Sequence, residues 1–139
     1  LRHSKKHHTR AVLEGVSYGL NDSLSLMRDL GIKPNEIILS GGGSRSALWK
    51  QMLADVFSTR CTMVNALEGA AYGAALLAAV GVGAFTSVQE ACRSCIQKTK
   101  TVSPGSDQEI YQKYYPIYQS LYPSLKTQFA QIADVITRN

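Results

Sequence analysis

Glu36-Ile37-Ile38-Leu39-Ser40-Gly41-Gly42-Gly43-Ser44-Arg45-Ser46-Ala47-Leu48-Trp49-Lys50-Gln51-Met52-Leu53-Ala54-Asp55 runs from an apolar strand through three glycines into a helix. Residues without Cβ let the backbone take positive φ and approach a flat or charged ligand closely. Ser44 or Ser46 is placed to cap the helix that follows, through Phe57, whose first N–H groups and positive dipole end face whatever lies over the glycines. An anion or ribose-phosphate fits such a corner, so Gly41, Gly42 and Gly43 read as a nucleotide site. The spacing matches neither the phosphate loop Gly-x-x-x-x-Gly-Lys-Ser/Thr nor the dinucleotide fingerprint Gly-x-Gly-x-x-Gly, because position 46 is serine. A tight strand-to-helix turn with no ligand would use the same residues.

Upstream of this corner, Leu13, Val16, Leu20, Leu24, Met27 and Leu30 recur at steps of three and four, which predicts the inner face of one helix from about Lys6 to Leu30. Gly31 and Pro34 stop it. Gly15 and Gly19, four apart, imply that something packs closely against this helix. In the helix after the glycines, Leu48, Met52, Leu53 and Val56 are predicted to point inward and Trp49 to lie off that face, in core or rim. Ile37 to Leu39 should be buried on both faces if its sheet is parallel.

Farther on, Arg60 to Val64 reads as a short strand, and Glu68 to Val80 as a helix of Ala, Gly and Leu. The weakly polar run Ala66 to Phe85 is interrupted by Glu68 and glycines, which predicts a packed internal helix and not a membrane span. Thr86 to Cys95 is a short helix capped by Thr86 or Ser87, with Glu90 at capping-box distance. Gln97 to Ser103 is extended, and Pro104-Gly105 turns. From Asp107 a last helical segment carries Tyr111, Tyr114, Tyr115, Tyr118, Leu121, Tyr122, Leu125, Phe129 and Ile132. These are expected in the core with hydroxyls reaching the surface, and Pro116 and Pro123 should kink or divide the helix. Helices alternating with strands make an α/β chain, with too few strands for a complete sheet.

At 139 residues, 45% hydrophobic and 18% charged, the chain is one domain or part of one, neither disordered nor membrane-spanning. Much of its net charge of +5 sits on Arg2, Lys5, Lys6 and Arg10; no basic stripe interleaved with aromatics follows, so nucleic acid is not an expected partner. Leu1 is not a natural start and no signal sequence follows it, so the chain reads as truncated. Three cysteines without a secretory context point to reduced thiols and a cytoplasmic compartment. Cys92-x-x-Cys95 lacks a second ligand pair, and His3, His7 and His8 lack a completing carboxylate or cysteine, so no metal site is expected.

Four segments, His7 to Gly15 (HHTRAVLEG), Leu39 to Asp55 (LSGGGSRSALWKQMLAD), Glu68 to Ala78 (EGAAYGAALLA) and Tyr118 to Phe129 (YQSLYPSLKTQF), in combination resemble the C-terminal part of the FGGY carbohydrate kinases. Within that family the likeness is greatest to the branch acting on D-xylulose, and it covers essentially the whole chain. The resemblance implies an α/β fragment of the second domain of an actin-like, ribonuclease-H-like ATPase fold. Residues 1–139 would be the C-terminal part of that domain, with the N-terminal part of the same kinase absent. It further implies ATP and Mg²⁺, a small sugar, and in-line transfer of the γ-phosphoryl group to a sugar hydroxyl while an aspartate accepts the proton.

By the same resemblance the nucleotide-binding residues are Gly41, Gly42, Gly43 and Ser46, with Gly42 and Gly43 on the family's nucleotide-contacting positions. Ser46 stands where many relatives have Asn, and His8 where they have an aliphatic residue. The catalytic Asp and the phosphate loops belong upstream, so no carboxylate here takes that role, and this piece alone is expected not to turn over. A homodimer is allowed for; neither nucleic acid nor membrane is an expected partner. The alternative is a non-catalytic actin-like nucleotide-binding or regulatory module, while a basic nucleic-acid-binding domain would rest on the N-terminal charge alone.

Overall fold

Helices and strands alternate in the computed structural model, which describes residues 3–66 and 68–137: α1 (Lys5–Asp29), β1 (Ile37–Leu39), α2 (Ala47–Phe57), β2 (Cys61–Val64), α3 (Gly69–Gly81), α4 (Val88–Cys95), β3 (Lys98–Val102) and α5 (Gln108–Thr137). A 3-10 turn over Gly42–Arg45 joins β1 to α2. Of the positions singled out above, Leu1, Arg2 and Leu67 of the weakly polar run lie outside the described residues.

The strands form one sheet in the order β1-β2-β3. β1 and β2 are parallel, Ile37 opposite Cys61 and Leu39 opposite Met63, so α2 is the crossover of a β-α-β unit. β3 returns antiparallel to β2, with Cys61 opposite Val102 and Thr62 opposite Thr101. The extended segment foreseen at 97–103 is therefore a third strand. Among the described residues the other edge of β1 pairs with nothing.

α2 is the centre of the molecule. Every residue from Met52 to Phe57 is buried, because the sheet covers one side of this helix while α1 and α5 cover the other. Met52, Leu53, Val56, Phe57, Cys61, Leu24, Tyr18 and Tyr111 make the core cluster. Leu48 departs from expectation: it is exposed, since burial begins one turn later, where α1 and β2 reach the helix.

α1 forms as predicted but is rotated about its axis. Ser17, Tyr18, Asn21 and Leu24 are buried, whereas Val16, Leu20, Met27 and Leu30 of the apolar stripe are exposed. The polar side turns inward because α2 and α5 offer it partners: Trp49 Nε1 donates to Ser17 Oγ at 3.0 Å, and the Tyr115 hydroxyl donates to Asp22 at 2.6 Å. Leu20 and Met27 instead border a shallow depression beside β1 with Ile37, Leu39 and Phe57. The tight packing expected at the two glycines is not found: a Cβ added at Gly19 would stand at ordinary contact distance, 3.5 Å, from the Tyr118 hydroxyl, and one at Gly15 would meet nothing within 4 Å.

α5 is neither ended nor divided at its prolines; both Pro116 and Pro123 lie inside one helix. An interior proline costs about 3 kcal/mol, and contacts on either side of Pro116 hold the segment against α1. Tyr18 stacks on Tyr115 with ring centres 5.8 Å apart and meets Tyr118 at 5.1 Å. Tyr111 accepts from Arg10 at 2.7 Å. Tyr111 is buried and Tyr115 and Tyr118 half-buried, but Tyr114, Leu121, Tyr122, Leu125, Phe129 and Ile132 are exposed, so the stripe is core only in its first turns. The tyrosine hydroxyls find α1 side chains more than solvent.

α3 and α4 pack on each other across from the second face of the sheet. Tyr72 and Asn65 both donate to the Cys95 carbonyl, at 3.0 and 2.9 Å, which ties the start of α3 and the end of β2 to the end of α4. α3 is not the packed internal helix foreseen, since only Leu76 on it is buried and Leu77 is exposed. Ile38 is also exposed, so β1 is covered on one face only. Ser87 caps α4 by accepting from Glu90 N, while the Glu90 carboxylate turns back to Thr86 N at 2.7 Å, one residue earlier than a standard capping box would place it.

Candidate glycine-turn site

The two parallel strands end together, β1 at Leu39 and β2 at Val64, and the loops that follow them meet. A Cβ on Gly69, at the start of α3, would stand 3.2 Å from Ser40 Oγ, at the start of the glycine turn. Crevices outside the carboxyl ends of parallel strands are where open α/β sheets bind ligands. The candidate residues therefore lie at the correct end of the sheet.

Within the turn the three glycines differ. Gly41 sits at φ 85°, a left-handed conformation that disfavours any side chain, and an added Cβ there or at Gly42 would meet no atom within 4 Å. At Gly43 a Cβ would fall 2.2 Å from Trp49 Cζ3 and 2.7 Å from Cε3, so this residue is glycine to admit the indole. Ser44 closes the turn by donating its hydroxyl to the Gly41 carbonyl at 2.7 Å, and its N–H bonds the same oxygen at 3.1 Å. Ser46 is the N-cap of α2, its Oγ accepting from Trp49 N at 3.3 Å. Of the two serines proposed as caps, Ser46 takes the role.

The far end of α2 is fixed by Asp55, buried between the helix and the loop after β3. Its Oδ1 accepts from Gly105 N at 2.5 Å and from Gln51 Nε2 at 3.0 Å, and the same Gln51 amide donates to the Ser103 carbonyl at 3.0 Å. Both ends of α2 are thus held, and with them the position of the turn.

A cavity of ≈ 760 Å³ opens between the second face of the sheet and α3–α4, with Ile38, Val64, Tyr72, Leu76 and Ile96 in its wall and Ser40 at its rim. Of the turn only Ser40 reaches it; Gly41, Gly42, Gly43 and Ser46 do not line it. Beside it a polar cluster crosses the sheet. Thr62 donates to Glu36 at 2.6 Å and accepts from Thr101 at 2.8 Å, while Lys98, at the cavity wall, pairs with the other Glu36 oxygen. The Lys98 ammonium, and then the Thr62 hydroxyl, hold the Glu36 carboxyl below the usual carboxylate range. Among the described residues no group of three or more His, Cys, Asp or Glu is placed to hold a metal ion. His7 is used locally, its Nδ1 accepting from Ser4 N at 3.0 Å at the start of α1.

Sequence reasoning located the turn and the serine cap but not the indole over Gly43, the Ser17 anchor or the meeting of Ser40 with Gly69. These contacts join segments far apart in the chain. The buried serine on a helix face predicted to be outward was the one local signal available.

Residues 1–82 match the C-terminal domain of the FGGY family of carbohydrate kinases. The chain is 33% identical over 135 residues to a xylulose kinase of Staphylococcus epidermidis, covering 96% of this chain and 27% of that protein. It is 32% identical over 136 residues to a gluconokinase of Bacillus subtilis, covering 96% and 26%. Among solved structures, the xylulose kinase of Rhodospirillum rubrum superimposes with a TM-score of 0.76 at 30% identity, over 94% of this chain and 27% of that one. The chain spans about a quarter of the length of the curated relatives it matches.

Proposed function

Since the chain belongs to the FGGY family of carbohydrate kinases and has the mixed α/β architecture of part of their actin-like, ribonuclease-H-like fold, we propose that it is the nucleotide-binding portion of an ATP-dependent sugar kinase. In this reading residues 1–139 are the C-terminal part of the second domain. The remaining polypeptide supplies the phosphate loops, the aspartate that deprotonates the sugar, and the opposite wall of the cleft. The acceptor is a pentulose, D-xylulose giving D-xylulose 5-phosphate, and the enzyme works in the cytoplasm. A gluconokinase at nearly the same identity as a xylulose kinase keeps the sugar a separate question from the family. In this reading the acceptor contacts the rest of the enzyme.

The observation that carries the nucleotide assignment is the glycine turn at the carboxyl end of β1, open around Gly41 and Gly42 and backed by an indole at Gly43. Backbone without side chains presents a flat surface to an adenosine, and Ser46 keeps the following helix in register by capping it. Among the described residues no group of three or more His, Cys, Asp or Glu is placed to cage Mg²⁺, and in this reading the ion arrives with the nucleotide. This chain's part in phosphoryl transfer is positioning, which accounts for most of the catalysis in this reaction class.

The test is ADP release from Mg-ATP by the polypeptide extended through the rest of the kinase, across D-xylulose, ribulose, glycerol, gluconate and rhamnulose. Selective turnover of D-xylulose is expected. Turnover of another sugar alone would overturn the substrate assignment, and nucleotide binding with no turnover on any sugar would make the chain part of a regulatory module. The 139-residue chain by itself should release no ADP above background; phosphorylation of D-xylulose by it would refute the division of labour proposed here.

A further inference from the structure

Resting on the reading of the glycine turn as the nucleotide site, we infer that Trp49 is the positioning residue of that turn, and that Ser17 on α1 sets Trp49. The turn has one covered face and one open face. The six-membered ring of the indole lies so close against Gly43 that no Cβ fits between them, whereas around Gly41 and Gly42 the added Cβ meets nothing within 4 Å. A ligand on the open face therefore lies on backbone whose height is fixed from behind by an aromatic plate.

The plate is fixed in turn. Trp49 Nε1 donates to Ser17 Oγ at 3.0 Å. Ser17 is fully buried and sends its own proton to the Leu13 carbonyl at 2.7 Å, so the hydroxyl has one orientation and offers its lone pairs to the indole. The backbone N–H of Trp49 is held by Ser46 Oγ, one turn-length from Gly43. A run of contacts thus leads from Leu13 and Ser17 through the indole to Gly43, and the rotation of α1 that buries Ser17 is what makes it possible. α1 acts on the nucleotide without touching it.

The test uses the ¹⁵N-labelled polypeptide extended through the rest of the kinase, wild type, Ser17→Ala and Trp49→Phe, with two readouts. The first is backbone order of Gly41–Arg45 by heteronuclear NOE without ligand, and the second is titration with ATP followed at the Gly41–Gly43 amides. In the wild type ATP should shift those amides. Ser17→Ala removes both bonds of that hydroxyl, of which only the one from Trp49 Nε1 bears on the turn, and should loosen the turn and weaken ATP roughly 3–10-fold, while amides in β2 and β3 keep their shifts; Trp49→Phe should weaken it further. In the extended kinase the same variants should raise the KM for ATP and leave the KM for sugar unchanged.

A turn as ordered in both variants as in wild type overturns the inference, as does equal ATP affinity with a loosened turn; in both cases the nucleotide reading stands if ATP still shifts Gly41–Gly43. Wild-type extended polypeptide whose glycine amides do not respond to millimolar ATP overturns the nucleotide reading and this inference with it. If Trp49→Phe proves unfolded, Ser17→Ala decides alone.

Discussion

A methyl group placed on each of the three glycines in turn separates their roles. Gly42 has a negative φ and open space, so Gly42→Ala should leave stability unchanged or raise it by up to ~1 kcal/mol through the unfolded chain. Gly41→Ala must hold an alanine at φ 85°, at a cost of about 1–2 kcal/mol. Gly43→Ala has no backbone strain but an impossible neighbour, with its Cβ 2.2 Å from Trp49 Cζ3. A rigid ring cannot yield by that much without turning, and turning breaks its bond to Ser17. Overpacking of about 1–3 kcal/mol plus a lost hydrogen bond of about 1 kcal/mol gives ~2–4 kcal/mol. For a chain of this length that is a fall in melting temperature of roughly 6–15 °C. Thermal unfolding by circular dichroism reads all three. The order Gly43→Ala below Gly41→Ala below Gly42→Ala is expected, and the Gly43→Ala penalty should vanish when Trp49→Ala is already present. If Gly43→Ala melts within about 2 °C of Gly42→Ala, the indole does not lie where it is described and the reasoning built on it fails.

Asp55→Ala removes two hydrogen bonds, one of them to Gly105 N, and should cost about 2–4 kcal/mol in urea unfolding; a loss no larger than that of an exposed residue would show that the loop after β3 holds itself. Burial, and then the charge of Asp55, push the Cys61 thiol up to about 11, so at pH 8 an aromatic disulfide reagent should titrate the half-buried Cys92 and Cys95 in the native chain and Cys61 only after unfolding. Three fast thiols would contradict the position of β2 in the core. Glu36 has a carboxyl held below its ordinary value by Lys98, so its contribution to stability is present above the unfolded value near pH 4.5 and is lost as pH falls through the lower folded value. Glu36→Gln should accordingly be less stable than wild type above about pH 5 and converge with it in acid, and a constant difference at all pH values would mean that the pair is not responsible.

The strand, turn and helix from Ile37 to Phe57 were legible because each is announced by local chemistry: a β-branched pair, three glycines, a serine at the cap. β2 and the ends of α1 were legible for the same reason. The facing of α1 was not. Periodicity identifies an apolar stripe but does not say which neighbour meets the helix, and the bonds that turn Ser17 and Asp22 toward their partners come from Trp49 and Tyr115, far along the chain. Division of α5 at Pro116 or Pro123 was not borne out, and at Pro116 a local penalty of ~3 kcal/mol is opposed by the tyrosine contacts on α1. At the candidate site the residues were visible in sequence and their division of labour was not, because three adjacent glycines look alike until the neighbours of each are known.

The outer edge of β1 governs how the isolated chain behaves as a colloid. Its N–H and C=O groups beyond β2 have no strand partner among the described residues, and the flanking side chains of α1, Leu20 and Met27, are exposed beside it. Neither proline nor lysine interrupts Ile37–Leu39, so of the protections common on natural edge strands this one has shortness. Three residues can offer only a few hydrogen bonds, so self-association would draw mainly on the adjoining apolar helix face. Sulfate should therefore promote it and lowering the ionic strength should not dissolve it.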